Sequence, residues 1–268
     1  MPEDKEIIRP KDKNKDFSLE HYREILRKIK KSHKTLSFKD ANKMGKKILD
    51  IEKFVIMRHD VEFSLRSAKR LAEIENEEDI TSTFFILQTG DYNPFEEYNA
   101  NIIKKILELG HDIGLHYDAA LFERFNLEPE QIARQQLEMF ETFFNTKIYA
   151  MSSHMPMRSG KTFALPGITD VYDPLYLNEI KYLSDSTQSW REGVVTENLP
   201  KYPKIHLLMH EYLWHPKAYG WDTLLLLDAH EKYEKLWNEA LKNIDKFRQG
   251  LKLREKKDRE FKERYGIK

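Results

Sequence analysis

The absence of cysteine limits the chemistry that this chain of 268 residues can perform. Without thiols there is no disulfide, no thiol nucleophile and no cysteine-bound zinc, so a metal would have to be held by His, Asp and Glu. A basic excess is absent too, because Lys and Arg number 45 and Asp and Glu also number 45. This balance gives no sign of a nucleic-acid partner. The longest purely aliphatic run, residues 224–227, is far too short for a membrane span.

Charge is dense at both ends of the chain. The acidic first six residues lack the apolar stretch of a signal peptide, which favours a cytoplasmic protein. Residues 1–16 are predicted to form a flexible charged tail, and residues 252–268 to continue a solvated helix. Hydrophobic residues make up 40% of the chain, which is enough for a core. Residues 17–268 are therefore predicted to form a single domain that ends in a helix.

The apolar pattern alternates between strands and helices. Strands are predicted at residues 54–57, 81–87, 113–116, 148–151, 180–183 and 205–209. Helices are predicted to begin near Ser18, Ser64, Asn99, Pro129 and Asp222. The helix from Pro129 carries the apolar residues Ile132, Met139, Phe140 and Phe143. The last helix is predicted to end at about Arg248.

This alternation predicts parallel strands, arranged as a βα barrel or an open sheet. The sequence has neither Gly-x-Gly-x-x-Gly nor a Walker loop, which disfavours a nucleotide-binding sheet. Residues 152–200 are predicted to be mostly loops.

The most informative stretch is residues 54–62, where four apolar residues end abruptly in ionisable ones. Asp60 and Glu62 are two residues apart, so on an extended segment they point to the same side. At the end of a buried strand, one carboxylate could ligate a metal while the other accepts a proton from water. The alternative is a carboxylate pair that caps the next helix near Ser64.

Further candidates follow two later strands. His116 and Asp118 share a face at a strand end, which favours a metal role for His116. His111 is expected to be structural because it precedes that strand. His154 lies directly after another strand, where it could reach the same rim or remain an ordinary loop histidine.

The last candidates surround the final strand. Asp185 and Trp190 follow a short strand, and an aromatic ring beside acid and hydroxyl groups could stack on a sugar. The alternative is a tryptophan that only plugs the barrel edge. His210 ends the final strand and could protonate a leaving amine, whereas His206, deeper in the strand, is expected to be structural. Ionisable residues thus end at least four strands, and in a βα barrel such ends converge on one mouth.

With these motifs the sequence resembles the polysaccharide deacetylase superfamily, also called NodB-homology or carbohydrate esterase family 4. Residues 58–62 resemble the first motif of a branch that reads Arg-His-Asp-Val-Asp, and residues 110–116 resemble the second motif. Asp185 with Trp190, and residues 208–210, resemble the later Asp/Trp and His motifs. The resemblance covers the chain from about residue 17 to at least residue 216. It implies a distorted, incomplete (β/α) barrel of about seven parallel strands.

The resemblance also implies metal-dependent removal of acetyl groups from N-acetylated or O-acetylated sugars. Carried over by motif, Asp60 is the general base, His210 is the general acid, and Glu62 and His116 are metal ligands. One divalent ion, zinc or else cobalt, nickel, iron or manganese, would activate water and polarise the acetyl carbonyl. The implied substrate is a small molecule or oligosaccharide with an acetylated amino sugar, such as an intermediate of cell-surface polysaccharide.

Three departures separate this sequence from the pattern of most family members. Val61 separates the two acids of the first motif, and the second acid is Glu62 where most members have adjacent aspartates. The family's second metal histidine falls at Ala120, and the arginine of the third motif has no match. His154 is therefore the predicted third ligand. Four residues are predicted to bind substrate or to support the ligands: His59, Asp118, Asp185 and Trp190. Asp118 could instead be a metal ligand itself.

Two other functions stay open. A related barrel could hydrolyse another linear or cyclic amide with the same groups. A barrel that has lost its metal could bind a sugar without catalysis, which Ala120 favours. Against that loss stands the joint retention of four residues: Asp60, Glu62, His116 and His210.

Overall fold

A computed structural model of the chain describes residues 17–160 and 162–265, so the predicted charged tail lies outside the described residues. Within the described residues the chain separates into two compact units, residues 17–224 and residues 225–265. The described strands all lie in the first unit. The second unit consists of most of one long helix.

The first unit is built on parallel strands. Its strands are β1 (Lys34–Leu36), β2 (Phe54–Val61), β3 (Thr83–Leu87), β4 (Asp112–Tyr117), β5 (Ala150–Ser153), β6 (Thr169–Asp170), β7 (Lys181–Ser184) and β8 (Lys204–His210). Seven of them pair in the order β6-β5-β4-β3-β2-β8-β7, and β1 pairs with the first half of β2. All these pairings are parallel. The sheet curls into an incomplete barrel, which confirms the predicted fold class.

Helices connect these strands. They are α1 (Leu19–Ser32), α2 (Phe38–Met44), α3 (Leu65–Glu77), α4 (Glu97–Glu108), α5 (Ala119–Arg124), α6 (Pro129–Phe144), α7 (Pro174–Leu177), α8 (Val195–Asn198) and α9 (Trp221–Tyr265). Ser18 and Ser64 cap α1 and α3 as predicted, each accepting a backbone N–H three residues ahead. Within the described residues, none of the helices has the length and apolar content needed to cross a bilayer.

The side chains of β2 alternate between the two faces of the sheet, and this decides which of them reach the site. Val55, Met57 and Val61 lie in the larger core cluster with the helices, whereas Phe54 and Ile56 lie in a second cluster. Residues 58, 60 and 62 continue the second series, because successive side chains of a strand point to opposite faces. Arg58, Asp60 and Glu62 therefore share one side of the sheet, as the spacing of the two acids predicts.

The structure differs from the sequence prediction in several elements. β2 continues to Val61, four residues beyond the predicted end, because its ionisable residues are buried and paired within the strand. In α6 the buried face consists of Ala133, Leu137, Phe140 and Phe144, whereas Met139 and Phe143 are 52% and 43% exposed. Six elements are not predicted by the sequence pattern: β1, α2, α5, β6, α7 and α8. Each is short, so periodicity has little to act on.

Two predicted helix boundaries also shift. α4 begins at Glu97 rather than Asn99, because the Glu96 carboxylate accepts the N–H groups of Tyr98 and Asn99 and caps the helix. α9 runs to Tyr265, well past Arg248. Its final turns carry ion pairs such as Lys256 with Glu260, four residues apart, which favour a solvated helix there as predicted.

Candidate active site

Three potential metal ligands meet at the carboxyl ends of neighbouring strands. Glu62 follows β2, His116 lies near the end of β4, and His154 follows β5. Each offers one ligand atom, and the three atoms lie within 4.8 Å of one another. Glu62 Oε1 is 2.8 Å from His154 Nδ1 and 3.3 Å from His116 Nε2. The structure thus brings together the three residues that the sequence predicts as metal ligands.

The backbone orients both histidines. His116 Nδ1 lies 3.0 Å from the carbonyl oxygen of Ser152 and donates to it, so Nε2 is the ring nitrogen directed at Glu62. The backbone N–H of His154 donates to the Tyr117 carbonyl at 2.7 Å, which ties the start of its loop to β4. The two imidazole rings are nearly perpendicular, with centroids 5.2 Å apart. Both rings can therefore present nitrogen to one shared point.

Electrostatics favour an ionised Glu62. Burial opposes ionisation, but hydrogen bonds from His116 and His154 hold the pKa of Glu62 well below its usual range. Burial likewise works against charge on His154, yet its contact with Glu62 raises the pKa of this imidazole. A negative carboxylate between two imidazoles is a donor set that suits a divalent cation.

Asp60 lies beside these ligands, and the carboxylate oxygen nearest His116 also contacts Arg58 and Ser152. Its Oδ2 is 3.9 Å from His116 Nε2 and 3.7 Å from a guanidinium nitrogen of Arg58. Ser152 Oγ donates to the same oxygen at 3.3 Å and accepts from Arg58 Nη1 at 3.1 Å. Burial disfavours the charge of Arg58, but Asp60 raises its pKa above the ordinary value, so the guanidinium remains charged. The other Asp60 oxygen is buried and has no hydrogen-bond partner among the described residues.

His210 is held by the Asp185 carboxylate. Its Nδ1 is 2.7 Å from Asp185 Oδ1, and its backbone N–H also donates to Asp185. Burial would lower the pKa of His210, but the charge and hydrogen bond of Asp185 raise it to about 9. Glu62 and Asp60 add to this effect. At neutral pH His210 is therefore an imidazolium, which can donate a proton.

Trp214 was not singled out by the sequence pattern, although it fixes Asp185. Its indole N–H donates to Asp185 Oδ2 at 3.0 Å, opposite the oxygen that holds His210. The ring is buried against Phe17 and Tyr22, with centroids 5.1 Å and 5.0 Å away. Its position four residues after His210 is the signal that could have found it.

Glu211 is a second residue that the sequence pattern missed. Its Oε1 accepts the backbone N–H groups of Glu62, Phe63 and Ser64 at 3.1, 2.7 and 2.8 Å. The side chain is fully buried, and burial raises its pKa to about 7. Glu211 thus fixes the segment that carries the Glu62 ligand after β2. Its place next to His210 is the only hint in the sequence.

Trp190 and His59 are both buried in packing contacts. Trp190 is 5% exposed and stacks on Phe17 with centroids 6.0 Å apart, which matches the packing alternative rather than a sugar platform. His59 points to the opposite side of β2 from Asp60. Its Nε2 lies 2.6 Å from Glu75, and its ring stacks on Phe84.

Three other predicted residues have structural partners. Asp118 caps α5 through the Leu121 N–H and lies 3.8 Å from Arg158, so it borders the site without joining the three ligands. His111 Nε2 lies 2.9 Å from the Ala72 carbonyl oxygen. His206 Nδ1 lies 3.1 Å from the Tyr176 carbonyl oxygen, and burial holds its pKa well below the ordinary value.

The residues present fit a divalent metal. Two imidazole nitrogens and one carboxylate oxygen are a common protein set for a catalytic zinc site, which leaves a coordination position for water or substrate. Ala120, where the family's second histidine would lie, belongs to the first turn of α5. His154 offers a nitrogen from a different strand end in its place.

No protein-family model matches the chain, and no curated protein matches it. Among solved structures, the chain is similar to proteins of carbohydrate esterase family 4. A polysaccharide deacetylase from Bacillus cereus is 13% identical, with a TM-score of 0.42 over 67% of this chain and 88% of that chain. The chitin deacetylase from the fungal pathogen Colletotrichum lindemuthianum is 17% identical, with a TM-score of 0.39 over 66% of this chain and 81% of that chain.

A family 4 pseudoenzyme from Bacillus anthracis is also similar, at 17% identity and a TM-score of 0.38 over 69% of this chain. The chain covers 62% of that protein, which is less than two thirds of its length. The similar structures thus include deacetylases and a pseudoenzyme, and likeness at these identities decides nothing about activity.

Proposed function

We propose that the chain is a metal-dependent hydrolase that removes an acetyl group from a sugar, with an N-acetylated amino sugar as the preferred substrate. One observation carries the proposal. Glu62, His116 and His154 offer three ligand atoms at one point, and Asp60 lies beside them. The resemblance of the motifs to the polysaccharide deacetylases supports the choice of substrate.

In this proposal Glu62, His116 and His154 hold one divalent ion, with zinc as the first choice and cobalt, nickel, iron or manganese as alternatives. Such an ion polarises the acetyl carbonyl and makes water a better nucleophile. Asp60 accepts the proton of the attacking water, because its carboxylate lies beside His116. Arg58 and Ser152 hold this carboxylate in place through Oδ2.

His210 acts as the general acid. The carbon–nitrogen bond of the acetamide breaks as the imidazolium gives its proton to the amine, which leaves acetate and a free amino sugar. Asp185 supplies the negative charge that keeps His210 protonated near neutral pH, and Trp214 keeps Asp185 oriented. The pair therefore provides an acid on the strand next to the base, because His210 is the register partner of Asp60.

Acetate release from oligomers of N-acetylated and O-acetylated sugars tests the proposal, with protein first stripped of metal and then loaded with zinc or cobalt. Asp60→Asn and His210→Gln are expected to bind metal normally and to lose about 10²–10⁴-fold in kcat, the usual contribution of a general acid or base. His116→Ala and His154→Ala are expected to lose metal. Unchanged metal affinity in His154→Ala would remove it from the ligand set.

His230→Ala is the matched control for metal binding, because this histidine is exposed in α9. It is expected to leave both metal content and turnover unchanged. Two outcomes separate the remaining candidate functions. A loaded protein that hydrolyses other amides but no acetylated sugar would change the substrate class. A protein that binds sugar but never metal would be the non-catalytic barrel that Ala120 favours.

A further inference from the structure

The long helix α9 carries an apolar seam that water reaches. Its members are Leu226, Tyr233, Trp237, Ala240, Ile244, Phe247 and Leu251, and from Tyr233 onward the intervals alternate between four and three residues. Trp237 is 56% exposed and Phe247 is 68% exposed. A repeat of 3.5 residues is the spacing of a coiled coil, and an exposed apolar seam of this length marks an interaction surface.

We propose that a second copy of this chain covers the seam, so that two α9 helices pair antiparallel. A parallel pair in register would set Arg254 against Arg254 of the other copy and Asp258 against Asp258. Both residues lie on the same seam, at positions where like charges repel. The antiparallel direction separates these charges and gives a closed two-fold dimer.

One antiparallel register satisfies charge. It places Glu234 of each helix opposite Arg248 of the other copy, on the flank of the seam, and forms this pair twice. Within one chain these two residues are too far apart to meet. Glu234 lies near His230 and Arg248 near Asp245, through weak exposed contacts of 3.4 and 4.0 Å.

The same register also pairs large with small side chains. Ile244 lies opposite Ala240 of the second copy, and Leu236 lies beside its Gly250. Leu236 is 65% exposed, and a Cβ built on Gly250 would meet nothing within 4 Å. Glycine is unfavourable inside a helix. Its presence at position 250 is explained if Leu236 of the second copy occupies the space beside it.

Two further layers continue the seam. Trp237 lies opposite Phe247, and Leu251 lies opposite Tyr233 of the second copy. Large aromatic side chains carry about 150–250 Å² each, so the exposed parts of the seam amount to roughly 700 Å² per helix. This approaches the about 800 Å² per partner of a stable protein interface.

The first test is the mass of the full chain, measured by sedimentation equilibrium over a range of concentrations. We expect a dimer for the wild type and a monomer for Phe247→Glu, which buries two carboxylates in the seam. Leu253→Glu is the matched control, because Leu253 is 54% exposed but lies off the seam. It is expected to remain dimeric. A monomeric wild type, or equal loss in both variants, would overturn the proposal.

A charge exchange tests the direction. Glu234→Arg alone is expected to weaken the dimer about tenfold, because two attractive pairs become repulsive. Adding Arg248→Glu in the same chain is expected to restore it. The double variant also loses the contacts to His230 and Asp245, so its recovery has to come from the other copy. No recovery would overturn the antiparallel register.

The absence of native cysteine makes disulfide trapping clean. In the proposed register Asn243 of one helix faces Asn243 of the other across the two-fold axis, so Asn243→Cys is expected to form a linked dimer on mild oxidation. Ala240→Cys is the control, since Ala240 faces Ile244 and not its own copy. A disulfide-linked dimer of Ala240→Cys instead would show a parallel pair and overturn the proposal. Adsorption of a monomeric chain to anionic vesicles would show that the seam binds a membrane surface, which would also overturn it.

Discussion

Replacing Asp185 by asparagine is the substitution whose effect on catalysis follows most directly from the geometry. Asparagine keeps the size of the side chain and an oxygen that can accept from Trp214, but it removes the negative charge 2.7 Å from His210 Nδ1. That charge is the main reason that the pKa of His210 rises to about 9 against the cost of burial. Without it, the pKa of His210 is expected to fall to its ordinary value near 6.5 or lower.

The size of the effect follows from the two pKa values. A fall from about 9 to about 6.5 is about 2.5 pKa units, or roughly 3 kcal/mol in the preference for the imidazolium. A general acid works only while protonated, so wild-type activity is lost as pH rises through the pKa of His210. In Asp185→Asn this loss moves to lower pH. Near pH 7.5 the variant has about one tenth of its His210 protonated, which predicts roughly tenfold slower turnover.

The assay is the pH profile of kcat, together with the NMR titration of the His210 ring. A bound divalent ion lowers the pKa of His210 in both proteins, so the comparison is made with and without metal. Trp214→Phe is the control, because it removes one hydrogen bond to Asp185 and keeps the charge. If kcat of Asp185→Asn falls at the same high pH as kcat of the wild type, the account of His210 as an acid whose pKa is set by Asp185 is refuted.

Five further substitutions at four residues test the packing of the first unit, each by urea unfolding. Arg58→Met leaves the Asp60 carboxylate buried without its cation and is expected to cost about 3–5 kcal/mol; a loss below about 1 kcal/mol would contradict the pairing. Glu211→Ala leaves three backbone N–H groups without their acceptor and is expected to cost about 3 kcal/mol or more, whereas Glu211→Gln keeps the acceptor and should cost much less. Phe140→Ala is expected to cost about 3–5 kcal/mol and Phe143→Ala about 1 kcal/mol or less, and equal costs would contradict the observed face of α6.

The sequence predicts the fold class because the strand signals are strong. The apolar stretches at β2, β3 and β8 are buried along nearly their whole length, so their composition alone distinguishes them. β1 and β6 have three and two residues, too few for any period to show. They are held by pairing with β2 and β5, which is information from distant parts of the chain.

The ligands are predictable because each follows a recognisable strand. Glu62, His116 and His154 meet since parallel strands bring their carboxyl ends to one edge. The residues that hold the site in place are harder to find. Glu211 accepts from a segment about 150 residues earlier in the chain, and nothing local in the sequence marks that contact.

Trp190 shows the opposite failure. Its neighbours Asp185 and Ser189 predict a polar loop, but the indole turns inward and stacks on Phe17, a residue far away in sequence. His59 is similar, because its motif places it between Arg58 and Asp60 while strand alternation sends it to the other face. Motif membership alone therefore does not decide which side chains reach a site.

The metal content of the chain tests the central claim most directly. Protein stripped of metal, incubated with zinc or cobalt and freed of excess ion should hold about one ion per chain by elemental mass spectrometry. His116→Ala and His154→Ala should hold none, and His230→Ala should match the wild type. A wild type that takes up none of these ions, or that keeps its ion when both site histidines are replaced, would contradict the account.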